Sequence, residues 1–258
     1  MSQVSSFSDG AQSRAAAQFQ AEGYVVLRQV MDAEACAALV GSIEAMLEPL
    51  VGPAEFEAEV GYPGAPEAHQ AGAATPRRLL HAYARSAELR GLAGHPQVVS
   101  MLGRLLDAPV RLSQCHHNCI MTKHPGYSSA TAWHQDIRYW SFDRPELISA
   151  WFALGDETRR NGGLRLIPAS HRLDLDRGRL DKDLFLRPEL PINKQLIHQS
   201  IIVDLRAGDV LLFHCQLFHA AGRNRSAQVK LSPVFTYHAA DNQPVSGTRS
   251  DQFPSIEF

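Results

Sequence analysis

The chain has 258 residues, 45% hydrophobic and 20% charged, with 25 Lys and Arg against 27 Asp and Glu for a formal net charge of -2. That apolar fraction can bury a substantial core and excludes a disordered chain, and the near-neutral balance, without a basic block or an acidic tail, argues against a nucleic-acid partner. Four cysteines (Cys36, Cys115, Cys119, Cys215) are too few and too scattered for a disulfide framework; they read as small buried thiols in a reducing compartment.

In chain order, the first twenty residues hold no apolar stretch of signal-peptide length, and nothing downstream reaches the length of a transmembrane run. The expectation is a cytoplasmic protein that engages no membrane. Residues 11–20 read as a short helix closing near Gly23, and Tyr24–Leu27 as a strand. Asp32 is a good N-cap for a helix through residues 33–50, whose apolar residues recur near helical spacing. Gly and Pro recur through 51–76, which reads as a long, partly irregular loop, and two more helices are expected around 76–83 and 96–106.

From Val110 the texture changes to short apolar runs punctuated by Gly, Pro, Asn and Asp. VRLSQCHHNCIMTK, LISAWFALGD, GLRLIPASH, QSIIVDL, DVLLFH and KLSPVFTYH all have strand length and composition. Many short strands suggest a sandwich or barrel of jelly-roll type, and helices followed by strands fit an α+β protein whose mainly β core is braced by N-terminal helices. The segment 173–199 is polar and strand-poor, an active-site lid or simply a surface loop.

The sharpest chemical signal is Trp133-His134-Gln135-Asp136. On extended backbone, positions i and i+2 project from one face, so the imidazole of His134 and the carboxylate of Asp136 can take adjacent positions on one metal. A second histidine from another strand would complete the two-His, one-carboxylate facial set of non-haem Fe(II) oxygenases. His-x-Asp alone is common in a chain with 12 histidines and could equally make surface hydrogen bonds at a strand end. Cys115 and Cys119 bracket His116 and His117, but their three-residue gap fits a zinc site poorly and no second pair follows at finger spacing.

The later segment GDVLLFHCQLFHAAGRNRSAQVK changes the weight of that pair. Together with His134 and Asp136, it places His219, then Asn224 and Ser226, then Lys230 eleven positions after His219. In this the chain resembles the phytanoyl-CoA dioxygenase family of 2-oxoglutarate oxygenases. Trp151, Asn161 to Leu164 and Ile167 to His171 resemble the family's segment between the metal strands, and the resemblance runs from about residue 11 to 238. It implies a double-stranded β-helix of the jelly-roll, cupin-like kind. The whole chain would be one Fe(II)/2-oxoglutarate dioxygenase domain, helix-rich over 1–109, with a jelly-roll core over 110–240 and a C-terminal tail over 241–258.

By the same resemblance, His134, Asp136 and His219 are the catalytic metal ligands, and Fe(II), 2-oxoglutarate and O2 the cofactor and cosubstrates. Lys230, Ser226, Lys123, Asn118 and Trp151 are the candidates to contact 2-oxoglutarate. His214 rivals His219, but five residues is an odd offset that puts the two on opposite faces of a regular strand; His238 reads as structural or pocket-lining. One departure stands out. The family usually has arginine where this chain has Lys230, and a lysine offers a point charge in place of a bidentate grip, so Arg223, Arg225 or Lys123 could assist.

The activity so implied is hydroxylation of an aliphatic carbon of a small metabolite, with release of succinate and CO2. The same chemistry could instead serve desaturation, cyclisation or epimerisation, and a non-catalytic jelly-roll binding module is the reading from another class. A halogenase is disfavoured, because Asp136 occupies the position that would have to open for chloride. Directly after the metal pair, Arg138 could meet an acidic substrate group and Tyr139 or Trp140 could shape the pocket, or the cluster could simply pack under the next loop.

Overall fold

The computed structural model describes residues 9–258; the opening eight residues, on which part of the leader reading rests, lie outside the described residues. Helix α1 (Asp9–Glu22) leads into strand β1 (Tyr24–Leu27), and α2 (Ala33–Leu47) starts where Asp32 Oδ1 accepts from the Ala35 amide at 2.8 Å. Such a cap satisfies one of the amides that a helix start leaves without a partner. A short strand β2 (Ala54–Phe56) interrupts the expected loop.

The helix expected around 76–83 is instead strand β3 (Pro76–Leu80), followed by the single-turn α3 (Ala82–Arg85). Its burial alternates, with Arg77 and Leu79 buried, and Arg78, Leu79 and Leu80 pair with Met121, Ile120 and Cys119. The backbone donors of this stretch are better satisfied by a neighbouring strand than by so short a helix. Helices α4 (Ala87–Ala93) and α5 (Pro96–Leu106) complete the N-terminal half.

Strand β4 (Val110–Lys123) is long enough to pair with β11 (Lys230–Ala239) on one edge, and with β3 and β12 (Ile256–Glu257) end to end on the other. With β6 (Leu147–Phe152) and β9 (Val210–His214) it builds a large sheet in the order β1-β9-β6-β11-β4-β3-β2. The helix-rich half therefore gives three strands, β1 to β3, to a sheet expected mainly from the second half. A smaller sheet has the order β5-β10-β7-β8, from β5 (Thr131–His134), β7 (Leu164–Leu166), β8 (Ile201–Ile202) and β10 (His219–Ala221). Between β7 and β8 lies α6 (Pro191–His198). The two sheets form the cupin-like jelly roll.

Period-2 alternation decides which core each residue joins. Ala150, Phe152, Leu212 and Phe235 face one way and pack with Phe19, Leu39, Ile43 and Leu102 of the helices. Trp151, Leu211, Phe213 and Val234 face the other way and pack with Leu164 and Leu166 of the small sheet. All ten residues of β11 are buried, since helices cover one face and the second sheet the other. Each fully buried Leu or Phe in these layers contributes roughly 1.5–3 kcal/mol. Among the described residues, no helix is long and apolar enough to cross a membrane.

Candidate metal centre

Strands β5 and β10 run antiparallel with His134 directly opposite His219, their ring centroids 4.2 Å apart. Backbone stays extended through Gln135 (φ -112°, ψ 136°), so Asp136 still falls on the His134 face although the strand itself ends at His134. The structure thus brings together all three residues singled out in sequence: one donor atom from each of His134, Asp136 and His219 lies within 4.8 Å of the others.

The protonation pattern suits a cation. The Nδ1 of His134 lies 2.9 Å from Ala132 O, and the Nδ1 of His219 lies 3.1 Å from Leu217 O. A carbonyl can only accept, so each ring carries its proton on Nδ1 and turns the Nε2 lone pair inward. Burial, then the neighbouring His219, hold His134 down to about 4, so it is neutral near pH 7. Asp136 is fully buried, and neither carboxylate oxygen has an aligned hydrogen-bond donor. Burial alone would raise its pKa, but His117 and His219 hold it well below the usual carboxylate range. A buried carboxylate beside two Nε2 atoms turned inward is a donor set that a cation completes. The donor set fits Fe(II).

A third imidazole approaches. Opposite the step from Phe235 to Thr236, strand β4 jumps from Asn118 to Ser113, so residues 114–117 bulge out of the ladder, with His116 at φ 60°. The bulge carries His117 Nε2 to 3.1 Å from Asp136 Oδ1. Against the effect of burial, Asp136 lifts His117 to about 9. The histidines considered in sequence only as a zinc alternative therefore sit beside the iron candidate, and their neighbours Cys115 and Cys119 are free, buried thiols.

A cavity of about 440 Å3 opens onto the triad, within the size range of small-molecule sites. Of the five residues expected at 2-oxoglutarate, Lys123 and Trp151 line it. Lys230, Ser226 and Asn118 do not. Lys230 Nζ sits behind Trp151, 4.8 Å from its ring centroid, and donates to Glu157 Oε2 at 2.8 Å and to Ser232 Oγ at 3.1 Å. Its charge is already matched by a buried carboxylate, so it is not the open cation that the resemblance implied. Ser226 Oγ donates to Asn224 Oδ1 at 2.7 Å, and Asn224 Nδ2 donates to Lys123 O, so the Asn-x-Ser pair folds a turn that pins the end of β4. Asn118 Oδ1 accepts from the Tyr83 amide and ties α3 to the sheet.

Sequence reasoning missed Arg77, Arg78, Tyr62 and Phe185, all of which line the cavity. Arg77 and Arg78 were hidden inside a mistaken helix; Pro at the start of an alternating apolar run was the available signal. Phe185 comes from the 173–199 segment, which roofs the cavity: Leu186 N donates to Trp133 O at 2.8 Å, and the Phe185 ring lies 5.6 Å from His134. Gly162 closes the far end. At φ 79° it is a glycine position, and a Cβ there would lie 2.6 Å from Gly222 O and 2.9 Å from Lys123 Cδ. His214 points away, against His171 and Phe19, and His238 is tied to Ala239 O and Ser255 Oγ.

Three buried or half-buried histidines set a pH dependence. Burial, then His219, hold His134 to about 4; burial, then His171, hold His214 to about 4; burial, then Arg249, hold His116 to about 3. A depressed histidine contributes stability above its unfolded value, and that stability is lost as pH falls, because the unfolded chain takes up the proton first. The metal-free protein is therefore expected to weaken steeply from about pH 6.5 toward pH 4, each group costing up to about 1.4 kcal/mol per pH unit. Urea unfolding at pH 7, 6 and 5 checks this; a flat profile would mean that these rings protonate freely in the folded state.

The profile of the phytanoyl-CoA dioxygenase family matches residues 19–232. The chain is 26% identical over 247 residues to the ectoine dioxygenase of Sphingopyxis alaskensis, covering 89% of this chain and 76% of that protein. Phytanoyl-CoA dioxygenase 1 of Oryza sativa subsp. japonica is 30% identical over 112 residues, which is 43% of this chain and 38% of the rice protein, so this chain matches less than half of that relative's length. Among solved structures, the epimerase SnoN in complex with Fe3+, alpha ketoglutarate and nogalamycin RO superposes with a TM-score of 0.76 at 24% identity, over 96% of this chain and 91% of that one, a likeness of fold.

Proposed function

The chain belongs to the phytanoyl-CoA dioxygenase family of Fe(II)/2-oxoglutarate-dependent oxygenases, and on that premise we propose that it hydroxylates an aliphatic carbon of a small metabolite. The observation that carries this reading is the inward-facing donor set of His134, Asp136 and His219 on the cavity wall. When bound, iron and 2-oxoglutarate supply the oxidising chemistry, one oxygen atom of O2 going to succinate as CO2 leaves and the other to the substrate carbon.

The protein's part is to hold, orient and exclude water. Nε2 of His134 and of His219 and the carboxylate of Asp136 would hold the iron, leaving the cavity side open to ligands. Lys123 and Arg77 are the cations we assign to the far carboxylate of 2-oxoglutarate. Both are buried, and Arg77 Nη2 donates to Thr131 Oγ1, three residues before His134 on the same strand, a run of about 10 Å along β5. Lys123 Nζ donates to Ser129 O and Gly222 O. Among the described residues it has no carboxylate within salt-bridge distance, and an ammonium offers three donors, so one remains for an incoming anion. Trp151 Nε1 donates to Glu157, which fixes the ring as a flat cavity wall. Phe185 roofs the metal side and keeps bulk water from the reacting carbon.

Burial, then Lys230 and Arg77, lower Lys123 to about 7. Its charged form therefore fades above neutrality, and 2-oxoglutarate affinity is expected to weaken as pH rises through 7 and above. Lys123→Ala is expected to weaken 2-oxoglutarate binding about tenfold or more while leaving Fe(II) affinity in place. Equilibrium dialysis with labelled 2-oxoglutarate reads both; loss in Lys230→Ala with retention in Lys123→Ala would return the anchor to Lys230.

The proposed activity is tested by succinate release and product mass over a metabolite panel. A gain of one oxygen supports hydroxylation. An unchanged mass would redirect the reading to epimerisation, and loss of two hydrogens to desaturation or ring closure.

A further inference from the structure

The proposed function leaves the substrate open, and one feature of the cavity wall narrows it. Four cationic side chains (Arg77, Arg78, Lys123, Arg138) line the cavity against three carboxylates (Glu55, Asp136, Asp183). A divalent iron and the dianionic 2-oxoglutarate offset each other, so the wall stays net cationic once both are seated. Arg78 is held by Glu55 at 2.5 Å, and Arg77 and Lys123 are assigned to the far carboxylate of 2-oxoglutarate. Asp136 belongs to the metal, and among the described residues Asp183 makes no ion pair within 4.0 Å.

Arg138 is left. Among the described residues it has no ion-pair partner within 4.0 Å, and its Nη1 is buried without a hydrogen-bond partner. The guanidinium lies 4.1 Å from the Phe185 ring centroid and 5.1 Å from that of Tyr139. Such stacking holds the plane of the group and leaves its N–H edge as the only route to a partner. Its chain neighbours account for the rest of the turn: Ile137 and Trp140 pack inward with Leu147 and Cys215, so beyond Asp136 the turn reaches the cavity through Arg138 and Tyr139. Arg138 follows Asp136 by two residues, whereas the Arg77–Thr131 contact precedes His134 by three, so the two cationic ends lie on opposite sides of the metal ligands along the chain.

We infer that the substrate is an organic monocarboxylic acid whose carboxylate is bound by the N–H edge of Arg138, with its apolar body against Tyr62, Tyr139 and Phe185. This rests on the proposed function, because it takes iron and 2-oxoglutarate as seated on Asp136, Arg77 and Lys123. The one guanidinium of the wall without an ion-pair partner favours a monoanionic carboxylate over a phosphate dianion. Its buried Nη1, which has no hydrogen-bond partner, rewards such a group with charge-assisted bonds that a neutral isostere cannot make.

The test keeps the protein with Fe(II) and 2-oxoglutarate under anaerobic conditions and follows the visible metal-to-ligand charge-transfer band. Three matched pairs serve as probes: butanoate, hexanoate and 3-phenylpropanoate, each with its primary amide. At least one acid is expected to perturb the band with an affinity about tenfold or more above that of its amide. Arg138→Gln, which must first form the same band with 2-oxoglutarate, is expected to erase that ratio, and Arg138→Lys to restore part of it. Equal binding of acids and amides, no binding of any acid, or a ratio that survives in Arg138→Gln overturns the inference. So does an acid that bleaches the band in competition with 2-oxoglutarate, since it then occupies the cosubstrate's place. A wild type that forms no band at all brings down the proposed function itself, and this inference with it.

Discussion

Asp136→Ala is expected to abolish Fe(II) binding and to lower the stability of the metal-free fold. Both halves follow from the same geometry. Asp136 is fully buried, and its Oδ1 lies 3.1 Å from His117 Nε2, 3.4 Å from His219 Nε2 and 3.5 Å from His134 Nε2. Removing the carboxylate takes away the one anionic ligand and leaves only two imidazoles, so affinity should fall well beyond the roughly 10–100-fold typical of losing an outer-shell partner. The metal-free protein also loses the anion that pairs with buried His117, so it should lose stability as well. Thermal unfolding with and without Fe(II) separates the two effects. At a hundredfold excess over Kd, bound metal stabilises the wild type by about 2.7 kcal/mol, and the variant should show no such gain. A variant that still gains stability from Fe(II) would place the metal elsewhere; one that is unfolded without metal would show that Asp136 is a structural anion.

Glu157→Ala is expected to be among the most destabilising single changes in the chain, at about 3–5 kcal/mol. Glu157 is fully buried and accepts from Trp151 Nε1 at 2.9 Å, Ser232 Oγ at 2.6 Å and Lys230 Nζ at 2.8 Å. Its loss strands a lysine that is 6% exposed and leaves an indole N–H without an acceptor. For a protein of this size the melting temperature should drop by on the order of 10 °C. Lys230→Ala should cost a similar amount, for the mirror reason. The double variant Glu157→Gln/Lys230→Met keeps an acceptor for Trp151 and removes both charges, so it should recover much of the loss, and a cycle with the single variants Glu157→Gln and Lys230→Met measures the coupling. Near-wild-type stability in Glu157→Ala would show that the pair is not sealed from water. Because Glu157 also orients the cavity wall through Trp151, the single variant should weaken 2-oxoglutarate binding even at temperatures where it stays folded.

This pair shows where reading the sequence stops. Lys230 stands eleven positions after His219, where family spacing puts the cosubstrate's anchor, and nothing near it in the chain disqualifies it. Its partner lies 73 positions away, beyond β6 on the other side of β11. The spacing picked out the residue, and a contact from another segment matched its charge. Arg77 is the opposite case: the local pattern suggested a helix and hid a buried cation that the β3–β4 pairing turns into the cavity.

What the sequence determined by itself were features written in local periodicity and short spacing. Extended backbone at period two puts His134 and Asp136 on one face, alternation in β6, β9 and β11 sorts residues between two cores, and Asp32 marks a helix start. Only the tertiary structure decided which charges are free. The bulge that brings His117 to Asp136, the Glu157 that neutralises Lys230, the Phe185 that roofs His134 and the unpaired edge of Arg138 all depend on segments far apart in the chain. The physical reason is that a side chain's periodicity is set by its own backbone, whereas its charge state and its partner are set by whatever surface is packed against it.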